Sequence, residues 1–285
     1  MLASLRGLAT SAPAWPLPPL KALRARRSLI LAYHGVAPSD PGEDPHNLRV
    51  PPQRFRAQVE LLLRAGFELV TVSTLAERAG GGRPPPGLAA LSFDDGMEDN
   101  HSVLLPILRE YEIPATVYVT TGLIGQTNPW LAPESGARMM TEEELRELAA
   151  AGVELGAHTV THPDMSRLDH AACLREMTES RAMLERVGGT SVRTFAYPFC
   201  RYGPAAVAAA EDAGFVAAVT CEGRGGWSRY ELRRAMITGK DGSPSFLLKA
   251  SNAYQPLFDS GPGRMLRAGT RAARSGIRRR RSENG

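Results

Sequence analysis

Leu91-Ser92-Phe93-Asp94-Asp95-Gly96 is a short apolar run that closes on two adjacent carboxylates and a glycine. Side chains alternate along a strand, so neighbouring aspartates can face one point only where the strand is ending. Gly96 supplies the freedom for a sharp turn there. Upstream, Arg83-Pro84-Pro85-Pro86-Gly87 is too proline-rich for a helix and suits an extended or turning entry. Downstream, a helix is predicted from Glu98 to Glu110. A strand end that presents two carboxylates is where α/β proteins usually keep their chemistry. The competing reading is an Asp-Asp-Gly turn that only caps the following helix.

Working outward, strand-like and helix-like segments alternate. Leu29 to Tyr33 is a continuous apolar run, read as a buried strand, and it ends at His34-Gly35. Residues 37–50 read as a loop. Pro51 and Pro52 open a helix that Gly66 ends, and Phe67 to Val72 reads as the next strand. Strands are expected at 115–119, 153–157, 192–197, 215–220 and 232–237. Helices are expected from the Thr141 capping box to Ala151, at 170–187, from Pro204 to Gly214, and after Pro244. Residues 121–139 form a long loop of the kind that is commonly functional. This alternation with short connections means a mostly parallel sheet or barrel, with its site at the C-terminal ends of the strands.

Composition limits the alternatives. A chain of 285 residues holds one α/β domain of ordinary size comfortably. Residues 1–28 carry five cations and no acid, and residues 264–285 carry eight arginines against Glu283. These ends contribute +5 and +7 to a formal net charge of +4, which leaves −8 for the body. The organisation expected is a poorly ordered basic lead-in at 1–28, a domain at 29–250 and a basic, disordered tail at 251–285. Arg264, Arg267, Arg271, Arg274 and Arg278 recur near heptad spacing, so a weak contact with a membrane surface is the alternative to a solvated tail. No specific nucleic-acid partner is expected. No run approaches the length of a membrane span, and prolines interrupt the first 20 residues, so neither a transmembrane helix nor a signal peptide is expected. Cys173, Cys200 and Cys221 have no metal-site or CxxC spacing and are odd in number, which favours a reducing, cytoplasmic address, with the membrane periphery as the alternative.

Polar groups fall at four strand ends: His34, Asp94-Asp95, His158-Thr159-Val160-Thr161-His162, and Tyr197-Pro198-Phe199 with Arg193. Two imidazoles four residues apart reach one ion if the segment coils through a turn, and a carboxylate from another strand completes a set of three. Such a mixed N/O set suits Zn²⁺ and tolerates other divalent ions. An isolated HxxxH is mostly coincidence; its pairing with Asp-Asp-Gly turns the reading toward metal.

These motifs carry a resemblance. The sequence resembles the polysaccharide deacetylases of the NodB-homology type, carbohydrate esterase family 4. The first family motif stands here as Ser92-Phe93-Asp94-Asp95-Gly96. The second, about 60 residues on, stands as His158-Thr159-Val160-Thr161-His162. The resemblance runs from about Leu29 to about Lys249 and implies a distorted (β/α)₇ barrel. It further implies a divalent metal, Zn first with Co, Mn, Ni or Fe as alternatives, held by Asp95, His158 and His162. Asp94 would be the catalytic base and a metal-activated water the nucleophile, releasing acetate from an N-acetylated sugar, polysaccharide or sugar-lipid intermediate. Phe195-Ala196-Tyr197-Pro198-Phe199 matches the third motif, with Tyr197 and Phe199 at the substrate and the Phe199 N–H at the oxyanion.

The departures from the pattern are specific. Ala196 stands where many members carry an arginine that orients the base, and Cys200 where a glycine is usual. Arg234, in Leu232-Arg233-Arg234, is the candidate replacement; a surface arginine is the alternative. The motif that supplies the general acid is absent, since no histidine follows His170, and His34 is the candidate acid. Trp130 in the long loop could stack on a sugar or anchor the loop. Asp99 and Asn100 could orient the base or only begin a helix. An O-acetyl esterase on the same site and a non-catalytic carbohydrate-binding member of the fold are the rival functions.

Overall fold

The computed structural model describes residues 24, 27–38, 40–221 and 227–250. The basic tail, its arginine stripe and nearly all of the lead-in lie outside them. Eleven strands are described: β1 (Leu29–Tyr33), β2 (Gly35–Val36), β3 (Arg49–Val50), β4 (Glu68–Val70), β5 (Leu88–Phe93), β6 (Thr116–Val119), β7 (Glu154–Ala157), β8 (Thr194–Ala196), β9 (Ala217–Thr220), β10 (Leu232–Arg233) and β11 (Ala235–Met236). β2 and β3 form a separate small pair.

The other strands form one parallel sheet in the order β10-β9-β8-β7-β6-β5-β1-β11, with β4 alongside β5. β10 pairs with β9 while β11 pairs with β1, so the segment Leu232–Met236, broken at Arg234, joins the two ends of the order. Counted as one strand, and with β4 set aside because it flanks only the first half of β5, this segment completes a seven-strand barrel. The expected (β/α)₇ architecture is the one observed.

Strand alternation sorts the side chains into two layers. Ile30, Ala90, Tyr118, Ala196 and Val219 share one apolar cluster inside the barrel. Their neighbours Leu31, Leu91, Val117, Phe195 and Ala218 face outward, against the helices Pro52–Ala65, Leu105–Tyr111, Glu142–Ala150, His170–Gly188 and Pro204–Asp212. The helix Val72–Ala79 docks at the N-terminal end of the barrel. Its first amides donate to Thr116 Oγ1 (3.0 Å) and Glu154 Oε2 (3.2 Å), at the starts of β6 and β7.

Local departures from expectation have physical causes. The strand expected at 67–72 stops at Val70, because Thr71 caps the helix Val72–Ala79 by accepting the Thr74 amide. The helix expected from Glu98 begins as a π-turn at Asn100–Leu104 and becomes α-helical at Leu105. Pro106 lacks an amide to donate, which favours the wider turn before it. The cysteine reading also changes: Cys200 and Cys221 form a disulfide, and Cys173 is buried and free. Their spacing hides the pairing because it arises from register. Ala196 lies opposite Val219 on adjacent parallel strands, so the chain leaves β8 and β9 at the same end. Among the described residues, no helix is long and apolar enough to cross a membrane.

Candidate active site at the C-terminal mouth of the barrel

The alternation that buries Ala90 and Ser92 inside the barrel carries on to Asp94, and the same parity along β1 and β7 reaches His34 and His158. Asp95 would then face outward, but its φ of 78° turns it back, and Gly96 follows with φ 84°. A Cβ on Gly96 would lie 3.1 Å from Val119 in this left-handed turn, so glycine fits both by space and by angle. Asp95, Thr159, His162, Phe199 and Cys200 are five of the seven non-glycine residues with positive φ among the described residues. Backbone strain of this kind gathers at functional sites.

Asp94 and Asp95 are both buried and meet different partners. Arg234, at the break between β10 and β11, is fully buried and grips Asp94 with both ends of its guanidinium, Nη1 to Oδ1 at 2.6 Å and Nη2 to Oδ2 at 2.7 Å. It also donates to Ser92 Oγ (3.1 Å) and the Thr220 carbonyl (3.2 Å). Burial pushes the Asp94 carboxyl up, and the charge and hydrogen bonds of Arg234 outweigh it, so Asp94 lies below the usual carboxylate range.

Asp95 Oδ1 stands 3.4 Å from both His158 Nε2 and His162 Nε2, and those two nitrogens are 3.2 Å apart. His158 Nδ1–H donates to the Ala196 carbonyl at 2.8 Å, which turns its bare Nε2 toward the cluster. Two ring nitrogens facing each other and a carboxylate need a proton or a cation among them. A tetrahedral ion with bonds of about 2.0–2.1 Å has donors about 3.3–3.4 Å apart, close to the spacing seen here. The donor set fits a divalent ion such as Zn²⁺. Without one, burial lowers the basicity of both imidazoles. Asp95 more than offsets this at His158, whose pKa is raised, but not at His162, whose pKa is lowered.

The turn that brings the two histidines together is held by a residue the sequence did not single out. Glu176, on the helix His170–Gly188, accepts the Val160 amide (2.8 Å), the Thr161 amide (3.0 Å) and the Thr161 hydroxyl (2.7 Å). Thr159 Oγ1 accepts the His162 amide at 2.9 Å. A glutamate two turns into an amphipathic helix carries no motif, so only the fold reveals it.

His34 is half-buried at the end of β1. Its Nδ1 is buried with no protein partner. Asn100 and Asp99 bond to this segment rather than to Asp94. Asn100 Nδ2 donates to the His34 carbonyl (2.9 Å), and Asp99 accepts from the Val36 amide (3.2 Å) and Arg49 Nε (2.9 Å). Phe199 and Trp130 flank His162, with ring centroids 4.5 and 4.8 Å from it. Phe199 is the one exposed large hydrophobic among the described residues, at 55 %. The Cys200 and Arg201 amides close onto Tyr197 and Pro198, while the Phe199 amide has no backbone acceptor among the described residues.

Tyr197 does not join the site as a side chain. It follows Ala196, which faces inward, so it faces out. There it stacks on Tyr202 and donates its hydroxyl to the Tyr230 carbonyl (3.0 Å). A second acidic gathering, Glu98, His101 and Glu144, is satisfied internally, since Arg138 forks onto Glu144 and His101 meets Glu147.

Residues 81–218 match the sequence model described as polysaccharide deacetylase. Over this stretch the chain is similar to the polysaccharide deacetylases. Among similar polysaccharide deacetylases is the putative enzyme YxkH of Bacillus subtilis, 28% identical over 220 residues, which spans 75% of this chain and 73% of that protein. The poly-beta-1,6-N-acetyl-D-glucosamine N-deacetylase of Staphylococcus aureus is 25% identical over 162 residues, about half of each chain at 54%. The deacetylase PplD of Streptococcus pyogenes, solved in complex with acetate, superposes with a TM-score of 0.67 at 25% identity. That match covers 79% of this chain and 98% of PplD. The family match begins after His34 and ends before Arg234, so the parts given to these two residues rest on this chain's own geometry.

Proposed function

We propose that this protein removes acetyl groups from an N-acetylated sugar, polymeric or lipid-linked, with the help of a divalent ion, zinc foremost. Residues 29–250 would be the catalytic unit. The observation that carries the reading is the division of labour between adjacent carboxylates: Asp94 is held by Arg234, while Asp95 faces two imidazole nitrogens. Asp95, His158 and His162 would hold the ion, which when bound would acidify water and polarise the acetyl carbonyl.

Asp94 would take the proton from the attacking water. Its fork with Arg234 occupies one lone pair on each oxygen and leaves another for that proton. A carboxylate held below the usual range stays ionised across the working pH but is a weak base, so it would hold the proton only briefly. His34 would protonate the leaving nitrogen, because an amine departs poorly as its anion. The Phe199 amide would donate to the oxygen that gains charge as the carbonyl is attacked. Phe199 and Trp130, on two sides of His162, would offer apolar walls to the faces of a sugar ring.

The relatives named as N-deacetylases support an amide rather than an ester bond. Acetate release from N-acetylglucosamine oligomers and from an O-acetylated xylan, each with added Zn²⁺, Co²⁺ or Mn²⁺, tests the choice. Release from the oligomers that stops with a chelator agrees with the proposal. Release from the xylan alone would make the chain an esterase, and no release from any substrate would end the catalytic reading.

A further inference from the structure

The opposite end of the barrel gathers charge of the other sign. A cavity of about 100 Å³ opens at the start of β1 between Arg27, Arg83, Trp227 and Arg233, and among the described residues no Asp or Glu lines it. Its lining on β1, Leu29 and Ile30, lies about 13–17 Å from His34 by the rise of the strand. Arg234 forms part of its wall, but the guanidinium of Arg234 is taken up by Asp94, Ser92 and Thr220. Lys249 also lines it, with its ammonium on Asp241 and the Met236 carbonyl.

The side chains of Arg27, Arg83 and Arg233 form no hydrogen bond or ion pair among the described residues. Other arginines in the same fold do find acids: Arg49 with Asp99, Arg78 with Glu68, Arg193 with Glu77 and Arg201 with Asp164. The body of the chain carries a formal −8, so acids are plentiful, yet none of the described ones lines this cavity. Three like charges around one small cavity repel one another. Arg233 Nε is in addition buried without an acceptor. A buried donor left unmet is costly, which makes this one a place where a ligand oxygen would be welcomed. Arg27 and Ala250 both line the cavity, and in the sequence they adjoin the basic segments 1–26 and 251–285.

We propose that this cavity binds a phosphate group through Arg27, Arg83 and Arg233. The planar guanidinium fork matches phosphate oxygens, and the volume admits such an anion with some water. The phosphate is either free in solution or carried by a phospholipid headgroup. The site is independent of the acetyl-releasing reaction proposed above.

The full-length chain, metal-loaded, is titrated with inorganic phosphate at matched ionic strength. It is also sedimented with vesicles of phosphatidylcholine alone or mixed with phosphatidic acid. Binding to phosphate and to the anionic vesicles identifies a general phosphate site; binding to the anionic vesicles alone identifies a headgroup site. In either case the Arg27→Gln/Arg83→Gln/Arg233→Gln variant should bind at least about tenfold more weakly. Arg83 is exposed and unbonded, so Arg83→Glu should weaken binding without disturbing the core, and acetate release from soluble oligomers should not change for either variant. Wild-type protein that binds neither probe, or variants that bind as well as wild type, would overturn the proposal. The latter result would assign any vesicle binding to the terminal basic segments instead.

Discussion

Asp94 and Arg234 stand 140 positions apart and meet inside the barrel through two hydrogen bonds, at 2.6 and 2.7 Å. Arg234 reaches the interior because it occupies the break at which the last strand passes from β9 to β1. Closure of the barrel and the grip on Asp94 are therefore one structural event. The third motif supplies Ala196, and the cation arrives from the other side of Asp94.

Removing that cation leaves a buried carboxylate alone. Arg234→Gln should cost about 3–5 kcal/mol of stability by denaturant unfolding. Burial would then dominate and raise the Asp94 pKa, so the acid limb of kcat/KM should move to higher pH. Arg234→Lys should restore charge but not the two-pronged grip, and should recover the pH profile only in part. An unchanged acid limb in Arg234→Gln would separate Arg234 from the base.

Glu176 touches none of the candidate metal ligands directly, yet it holds the turn between them with three hydrogen bonds. Glu176→Ala should weaken Zn²⁺ affinity about 10–100-fold, as loss of a ligand-orienting partner typically does. Competition with a chromogenic chelator measures this. Wild-type affinity in the variant would mean that the turn is fixed by Thr159 and the surrounding packing alone.

Much of this arrangement was legible in the sequence, and the parts that were not share a cause. Asp94-Asp95-Gly96 and the HxxxH segment announce themselves because both lie within a few residues. Strand parity then puts His34, Asp94 and His158 on one face. The split of the last strand at Arg234 was hidden, since Leu232–Ile237 reads as an unbroken apolar-flanked run and its break depends on which neighbours it meets. Glu176 and the Cys200–Cys221 pair were hidden for the same reason: each acts across elements, where no local spacing records the contact. Tyr197 shows the converse. Its motif position suggested a role at the substrate, but the parity set by Ala196 points its ring into the outer core.

Acid should destabilise the fold partly through Glu144. Its carboxyl closes the capping box with Thr141 and accepts a forked pair of bonds from Arg138. Arg138 first, then the Thr141 hydrogen bonds, hold its pKa down at about 2 against burial. A group whose folded pKa is depressed contributes stability above its unfolded pKa, of about 4.3, and loses it as pH falls to the folded value. Wild type should therefore lose more unfolding free energy between about pH 4.3 and pH 2 than Glu144→Gln does. Parallel slopes for the two proteins in urea titrations would contradict this.

The separation of Asp94 from Asp95 is best tested by metal content and turnover in the two single variants, Asp94→Asn and Asp95→Asn, purified alike and loaded with Zn²⁺. The account predicts that Asp94→Asn keeps a full equivalent of metal and loses acetate release by about a thousandfold or more. Asp95→Asn should bind metal weakly and recover part of its activity at high Zn²⁺. Loss of metal from Asp94→Asn, or turnover near wild type in that variant, would contradict it.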